Sequence, residues 1–156
     1  MPSHSYLAHR RNARAAAARQ VVRESKELEK FKKAQDDFAF FCEYVADKPP
    51  APHHKEWHKH FITNEDSSCL LKIAGPNVDL LAPRGSAKST ILGLLTAWAI
   101  GVHTTAGKPL QILYLSYTVD IARSKSATIK RIIESKRYQQ VFPKVKLLKN
   151  VTSNEY

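Results

Sequence analysis

The sequence predicts an α/β chain: a parallel sheet with flanking helices, preceded by N-terminal helices. Three observations carry this expectation. Two short apolar runs, residues 78–81 (VDLL) and 111–116 (QILYLS), have the length and composition of buried parallel strands. Each is followed by a loop and then by a stretch with helical apolar spacing, residues 88–100 and 119–135. The resulting order of strand, loop, helix, strand, helix is how a parallel sheet with helical crossovers begins.

The elements follow in chain order. Residues 10–33 are rich in Ala, Arg, Glu and Lys without Gly or Pro, which predicts a helix with too few apolar residues to bury a face. Over residues 35–46, Phe38, Phe41, Tyr44 and Val45 fall on one helical face. The prolines at 49, 50 and 52 stop that helix. A short helix over residues 54–62 offers Trp57, Phe61 and Ile62 for packing. Residues 69–73 and 78–81, separated by Gly75-Pro76-Asn77, read as a hairpin or as a strand leading into the central strand. Gly101 is the expected stop of the helix begun at Lys88. Residues 144–148 are read as the start of a further strand.

Length and charge bound the function. A chain of 156 residues with 43% hydrophobic residues is a globular domain of ordinary size. Its longest mostly apolar run, residues 91–102, is too short for a membrane span, and the basic N-terminus lacks the apolar core of a secretory signal. Cys42 and Cys69 lie in unrelated contexts and are read as free thiols of a reducing compartment. The net charge of +11 calls for an anionic partner, nucleic acid being the usual one. Residues 1–33 carry nine Lys/Arg against three acids, residues 34–80 four against eight, and residues 81–156 twelve against three. Two readings of the basic faces stand, solvated surface and contact with phosphates. On this division, residues 1–33 form a basic helical extension and residues 34–156 the main domain.

The stretch Leu80-Leu81-Ala82-Pro83-Arg84-Gly85-Ser86-Ala87-Lys88-Ser89-Thr90 carries the chemistry. It follows the phosphate-loop pattern G-x-x-x-x-G-K-[ST] between a strand and a helix, with Ala82 and Ala87 at the two glycine positions. Such a loop wraps phosphates in backbone N–H groups and aims a helix N-terminus at them, so its residues must be small. Pro83, Arg84, Gly85, Ser86, Ala87, Lys88, Ser89 and Thr90 are the expected ATP-binding residues. Lys88 would neutralise the β- and γ-phosphates, and Ser89 would place a hydroxyl on Mg²⁺. This pattern makes the expected fold a partial P-loop NTPase.

The segment LLAPRGSAKST resembles the Walker A segment of the large subunit of viral DNA-packaging terminases, which departs from the strict glycine pattern and carries an arginine in the loop. FAFFCEYV, HHKEWHKHF and ILYLSYTVDIARSKSATIKRIIES stand in that family's order, so the resemblance runs over residues 38–143. It implies the ATP-binding portion of a motor that drives double-stranded DNA through a portal into a procapsid. It further implies Arg84 as the residue that stabilises transition-state charge beside Lys88, the portal and small terminase subunit as partners, a homo-oligomeric ring, and the host cytoplasm as location. The family's Walker B segment, an apolar strand ending in acids, has no counterpart here. After Ser89 the acids are Asp120, Glu134 and Glu155, and none follows such a strand. A nuclease domain is likewise absent. The expectation is a truncated chain that binds ATP and hydrolyses it weakly or not at all.

Further clusters leave alternatives open. His53, His54, His58 and His60 crowd one short helix. They are surface histidines, neighbours of a nucleotide base together with Trp57, or a metal pair at i, i+4. Arg123, Lys125, Lys130, Arg131, Lys136 and Arg137 form a solvated face or a track for DNA phosphates. Two other functions remain: a helicase-like nucleic-acid-dependent ATPase, and a basic nucleic-acid-binding protein without catalysis.

Overall fold

The computed structural model describes residues 4–63, 70–71, 78–108 and 110–147. The chain divides into two compact units, Met1–Lys32 and Lys33–Tyr156.

The first unit is taken up by helix α1 (His4–Asp36), whose last residues belong to the second unit. Alanine and long straight side chains with no Gly or Pro make this a helix by backbone preference. It has no apolar stripe. Val21, Val22 and Leu28 are exposed, and its side chains bond along the helix, as in Gln20 Nε2 donating to Glu24 Oε1 at 2.9 Å.

In the second unit the chain turns at Asp37, which leaves helical geometry and caps α2 (Phe38–Ala46) by accepting from Ala39 N and Phe40 N. Asp47 closes α2 in the left-handed region at φ 52. The prolines then lead into α3 (Pro52–Phe61), which runs into β1 (Ile62–Thr63). β1 pairs antiparallel with β2 (Leu70–Leu71). The long α4 (Lys88–Thr105), α5 (Val119–Glu134) and a short α6 (Lys136–Val141) complete the unit.

The core is made by helices. α4 supplies Ile91, Leu94, Leu95, Ala97, Trp98 and Ala99, all buried, and packs against α5 and α2. Trp98 meets the Phe38 ring edge-on at 5.8 Å and donates from Nε1 to the Ala34 carbonyl at 3.0 Å. Tyr138 lies 6.1 Å from Phe41 and 5.2 Å from Phe142, and its hydroxyl donates to the Ala97 carbonyl at 2.8 Å. Burial pushes the Tyr138 phenol well above its ordinary pKa, so it stays a donor. Both large polar aromatics thus satisfy their polar atom inside the core.

The expected parallel sheet, and with it the partial P-loop NTPase architecture, is overturned. Among the described residues the only ladder is the two-residue antiparallel pair β1–β2. β2 pairs with β1, the two residues that follow α3, instead of with residues 78–81, and Gly75-Pro76-Asn77 lies outside the described residues. Residues 78–81 and 110–116 have no strand pairing, and Leu81, Leu113 and Leu115 are 87%, 81% and 80% exposed. The physical reason is that strand preference is a preference for a packed pleated surface. In this chain the apolar faces of α2, α4 and α6 bury one another, and neither run is covered.

Smaller expectations also shift. Gly101 does not end α4. It sits inside the helix, where a Cβ would come within 2.4 Å of the buried Phe142 ring, so it is a close-packing glycine. The basic helix ends at Glu134, and Lys136 and Arg137 belong to α6. Residues 144–147 form no strand, and residue 148 lies outside the described residues, as does Cys69. Cys42 is a free, buried thiol. No helix of the described residues is long and apolar enough to cross a membrane.

Candidate phosphate-binding site

The site grows from a turn. Ser86 N reaches back to the Pro83 carbonyl at 3.4 Å, and Gly85 takes φ +84, a conformation that suits glycine. A Cβ on Gly85 would meet nothing within 4 Å, so the requirement there is one of backbone shape and not of space. Ala87 follows in the left-handed region too, at φ 54 and ψ 20, with a side chain that L-residues seldom carry there.

Ala87 is also the N-cap of α4. Its carbonyl accepts from Thr90 N and Ile91 N, both at 3.0 Å, but it has no side-chain oxygen to cap the helix. The N–H groups of Lys88 and Ser89 therefore find no acceptor among the described residues. These donors stand at the positive end of an 18-residue helix. Residues 82–90 line a cavity of about 380 Å³.

The sequence-predicted residues all fall on this loop. Lys88 is half-buried, and its Nζ lies 3.5 Å from the Leu80 carbonyl, a contact at the outer limit of a hydrogen bond. Arg84 is exposed and makes no ion pair among the described residues. Ser86 Oγ is buried without a hydrogen-bond partner. Ser89 and Thr90 are exposed on the first turn of α4. The turn, the cap without a side chain and the paired lysine and serine have the chemistry to hold a chain of phosphates bearing Mg²⁺: Pro83 to Thr90 would form the wall, Lys88 and Arg84 would supply charge, and Ser89 a hydroxyl. Asp120 and Glu134 are not among the lining residues, and Glu134 lies 4.0 Å from Lys130 on α5.

One residue joins the site whose part in it was not legible in the sequence. His54, buried on the first turn of α3, places Nε2 2.8 Å from the Ser86 carbonyl and Nδ1 3.2 Å from Ala51 N. His58 turns elsewhere, its ring 5.7 Å from Phe38, so the pair at i, i+4 does not converge. Trp57 packs against His53 and His54 at 5.0 and 5.1 Å. The available signal was the Pro-Pro-Ala-Pro start of α3, which makes His54 the third helical residue, where a side chain turns back onto the cap N–H.

A second cavity of about 230 Å³ shares Ser89 and Thr90 and reaches Lys48, Tyr114 and Lys125. The basic track is uneven. Arg123 and Lys136 are exposed, whereas Arg137 is held by Asp47 and donates to the Tyr44 carbonyl at 3.0 Å.

Comparison with known proteins finds no family model, no curated protein and no solved structure that matches this chain.

Proposed function

We propose that the loop of residues 82–90 binds the phosphates of ATP with Mg²⁺. The observation that carries this reading is the start of α4. Gly85 and Ala87, left-handed residues on either side of Ser86, lead into a long helix in which the N–H groups of Lys88 and Ser89 have no acceptor among the described residues. A phosphate oxygen supplies the acceptors that Ala87 lacks, and the helix end and Lys88 supply opposing charge. The reading rests on this local geometry and needs no sheet. Lys88 and Arg84 hold the phosphates, and Ser89 offers its hydroxyl to Mg²⁺.

The wider role follows from the resemblance of LLAPRGSAKST and its flanking segments to packaging terminases. We take the chain to be the ATP-binding portion of a motor that moves double-stranded DNA into a procapsid in the host cytoplasm, with a portal and small subunit as partners. The basic residues at 81–156 support contact with DNA phosphates.

Calorimetric titration with Mg²⁺-ATP tests the binding proposal. Lys88→Ala removes the fixed charge beside the phosphates and is expected to weaken affinity by about tenfold to a hundredfold, the range for a charged hydrogen bond. Equal affinity in the two proteins refutes the assignment.

A further inference from the structure

The His54 imidazole makes two hydrogen bonds, and each partner can play only one part. Ala51 N–H can only donate, so Nδ1 accepts and carries no proton. The Ser86 carbonyl can only accept, so Nε2 carries the proton and donates across 2.8 Å. His54 is thereby fixed as one neutral tautomer that ties the start of α3 to the middle of the loop.

The consequence lies in the peptide plane. The Ser86–Ala87 peptide is trans, so its C=O and N–H point in opposite directions. Fastening the Ser86 carbonyl to α3 turns the Ala87 N–H away from α3, where no described group accepts it. That donor then joins those of Lys88 and Ser89. Ala87 is also the residue held at φ 54, so the loop has reason to relax if the tie is cut.

We infer that His54 is the positioning residue of the phosphate loop: by holding the Ser86 carbonyl, it aims the Ala87 N–H at the polyphosphate chain. This rests on the proposal that the loop binds phosphates. It assigns His54 to the polyphosphate and not to the nucleotide base, and it makes α3 part of the site.

Two near-isosteric substitutions separate the two contacts. The amide of Asn places its polar atoms near Nδ1, so His54→Asn keeps the cap on Ala51 and loses the tie to Ser86. The amide of Gln reaches the Nε2 position, so His54→Gln keeps the tie. Full-length wild type, H54N, H54Q and K88A are titrated with Mg²⁺-ATP and with Mg²⁺-tripolyphosphate, and their thermal midpoints are measured alongside. The expected result is an affinity loss of about tenfold in H54N for both probes, the cost of one charge-assisted hydrogen bond. H54Q retains affinity within about threefold, on the same scale, and the affinity losses do not follow the midpoints. Three outcomes overturn the inference: H54N binding as wild type does, H54N and H54Q losing affinity in step with their midpoints, or a loss confined to ATP, which would put His54 at the base. If wild type binds neither probe, the binding proposal falls and this inference with it. If wild type binds and K88A does not, while H54N is unaffected, only the inference falls.

Discussion

Ala87→Gly isolates the backbone cost built into the loop. Ala87 sits at φ 54 and ψ 20, where an L-residue crowds its Cβ against the backbone at a cost of about 1–2 kcal/mol. Glycine removes that crowding but restores about 0.5–1 kcal/mol of unfolded-chain entropy. The difference is a net stabilisation of about 0.5–1 kcal/mol. For a chain of this length that raises the thermal midpoint by about 2 °C. Urea denaturation followed by far-ultraviolet circular dichroism measures it, with an unchanged slope showing that the native state is otherwise intact. Gly85→Ala is the control with the opposite sign. At φ +84 its new Cβ meets nothing within 4 Å, so the expected loss of about 1 kcal/mol comes from the backbone alone. A lower midpoint for A87G, or a neutral G85A, refutes the left-handed pair on which the loop geometry rests.

Three other outcomes are expected. Gly101→Ala drives a Cβ to within 2.4 Å of the buried Phe142 ring, so a thermal melt should show a loss of about 2 kcal/mol or more, and an unchanged midpoint would contradict the α4–Phe142 packing. Burial, with a smaller contribution from the Asp37 charge, pushes the Cys42 thiol up to about 12, so peptide mapping after iodoacetamide at pH 8 should find Cys42 unmodified in native protein and modified in urea. Duplex-DNA affinity should fall with salt regardless of sequence. Arg123→Ala should lower the log–log slope by about 0.9, while Arg137→Ala, already held by Asp47, leaves it unchanged, and a marked base preference would count against phosphate contact.

What the sequence made legible was local. Helix α2 could be read because Phe38 and Phe41 repeat at helical spacing ahead of a run of prolines, whereas its cap, Asp37, could not. The Lys88 helix could be read because its apolar residues follow a loop of small residues. The absence of a parallel sheet among the described residues was not legible, because residues 78–81 and 111–116 have the composition of buried strands, and composition does not say whether a neighbour will cover them. Gly101 has the look of a stop signal in the sequence because glycine spacing alone cannot separate a helix end from a close approach. The approaching ring, Phe142, is 41 residues away in sequence. The loop residues from Pro83 to Thr90 were legible as a motif, but their anchor was not: the contact from His54 to Ser86 spans 32 residues and depends on α3 lying against the loop.

That contact also bears on how a strained loop keeps its shape. Left-handed alanine is held only where the surroundings over-determine it. Here the constraint comes from both sides. On one side His54 fixes the carbonyl just before Ala87. On the other, Ala87 opens α4, the most deeply buried helix of the unit, which is held along its length by Ile91, Leu94 and Leu95 and farther on by the Trp98 bond to Ala34 and the Tyr138 bond to Ala97. The helix cannot shift at its start without disturbing those buried polar contacts, each of which leaves an unsatisfied group if broken. If the loop binds phosphates as proposed, its donors are therefore pre-set before the anion arrives. Binding then need not include the cost of ordering a mobile loop, which is the physical advantage of building an anion site on a core helix.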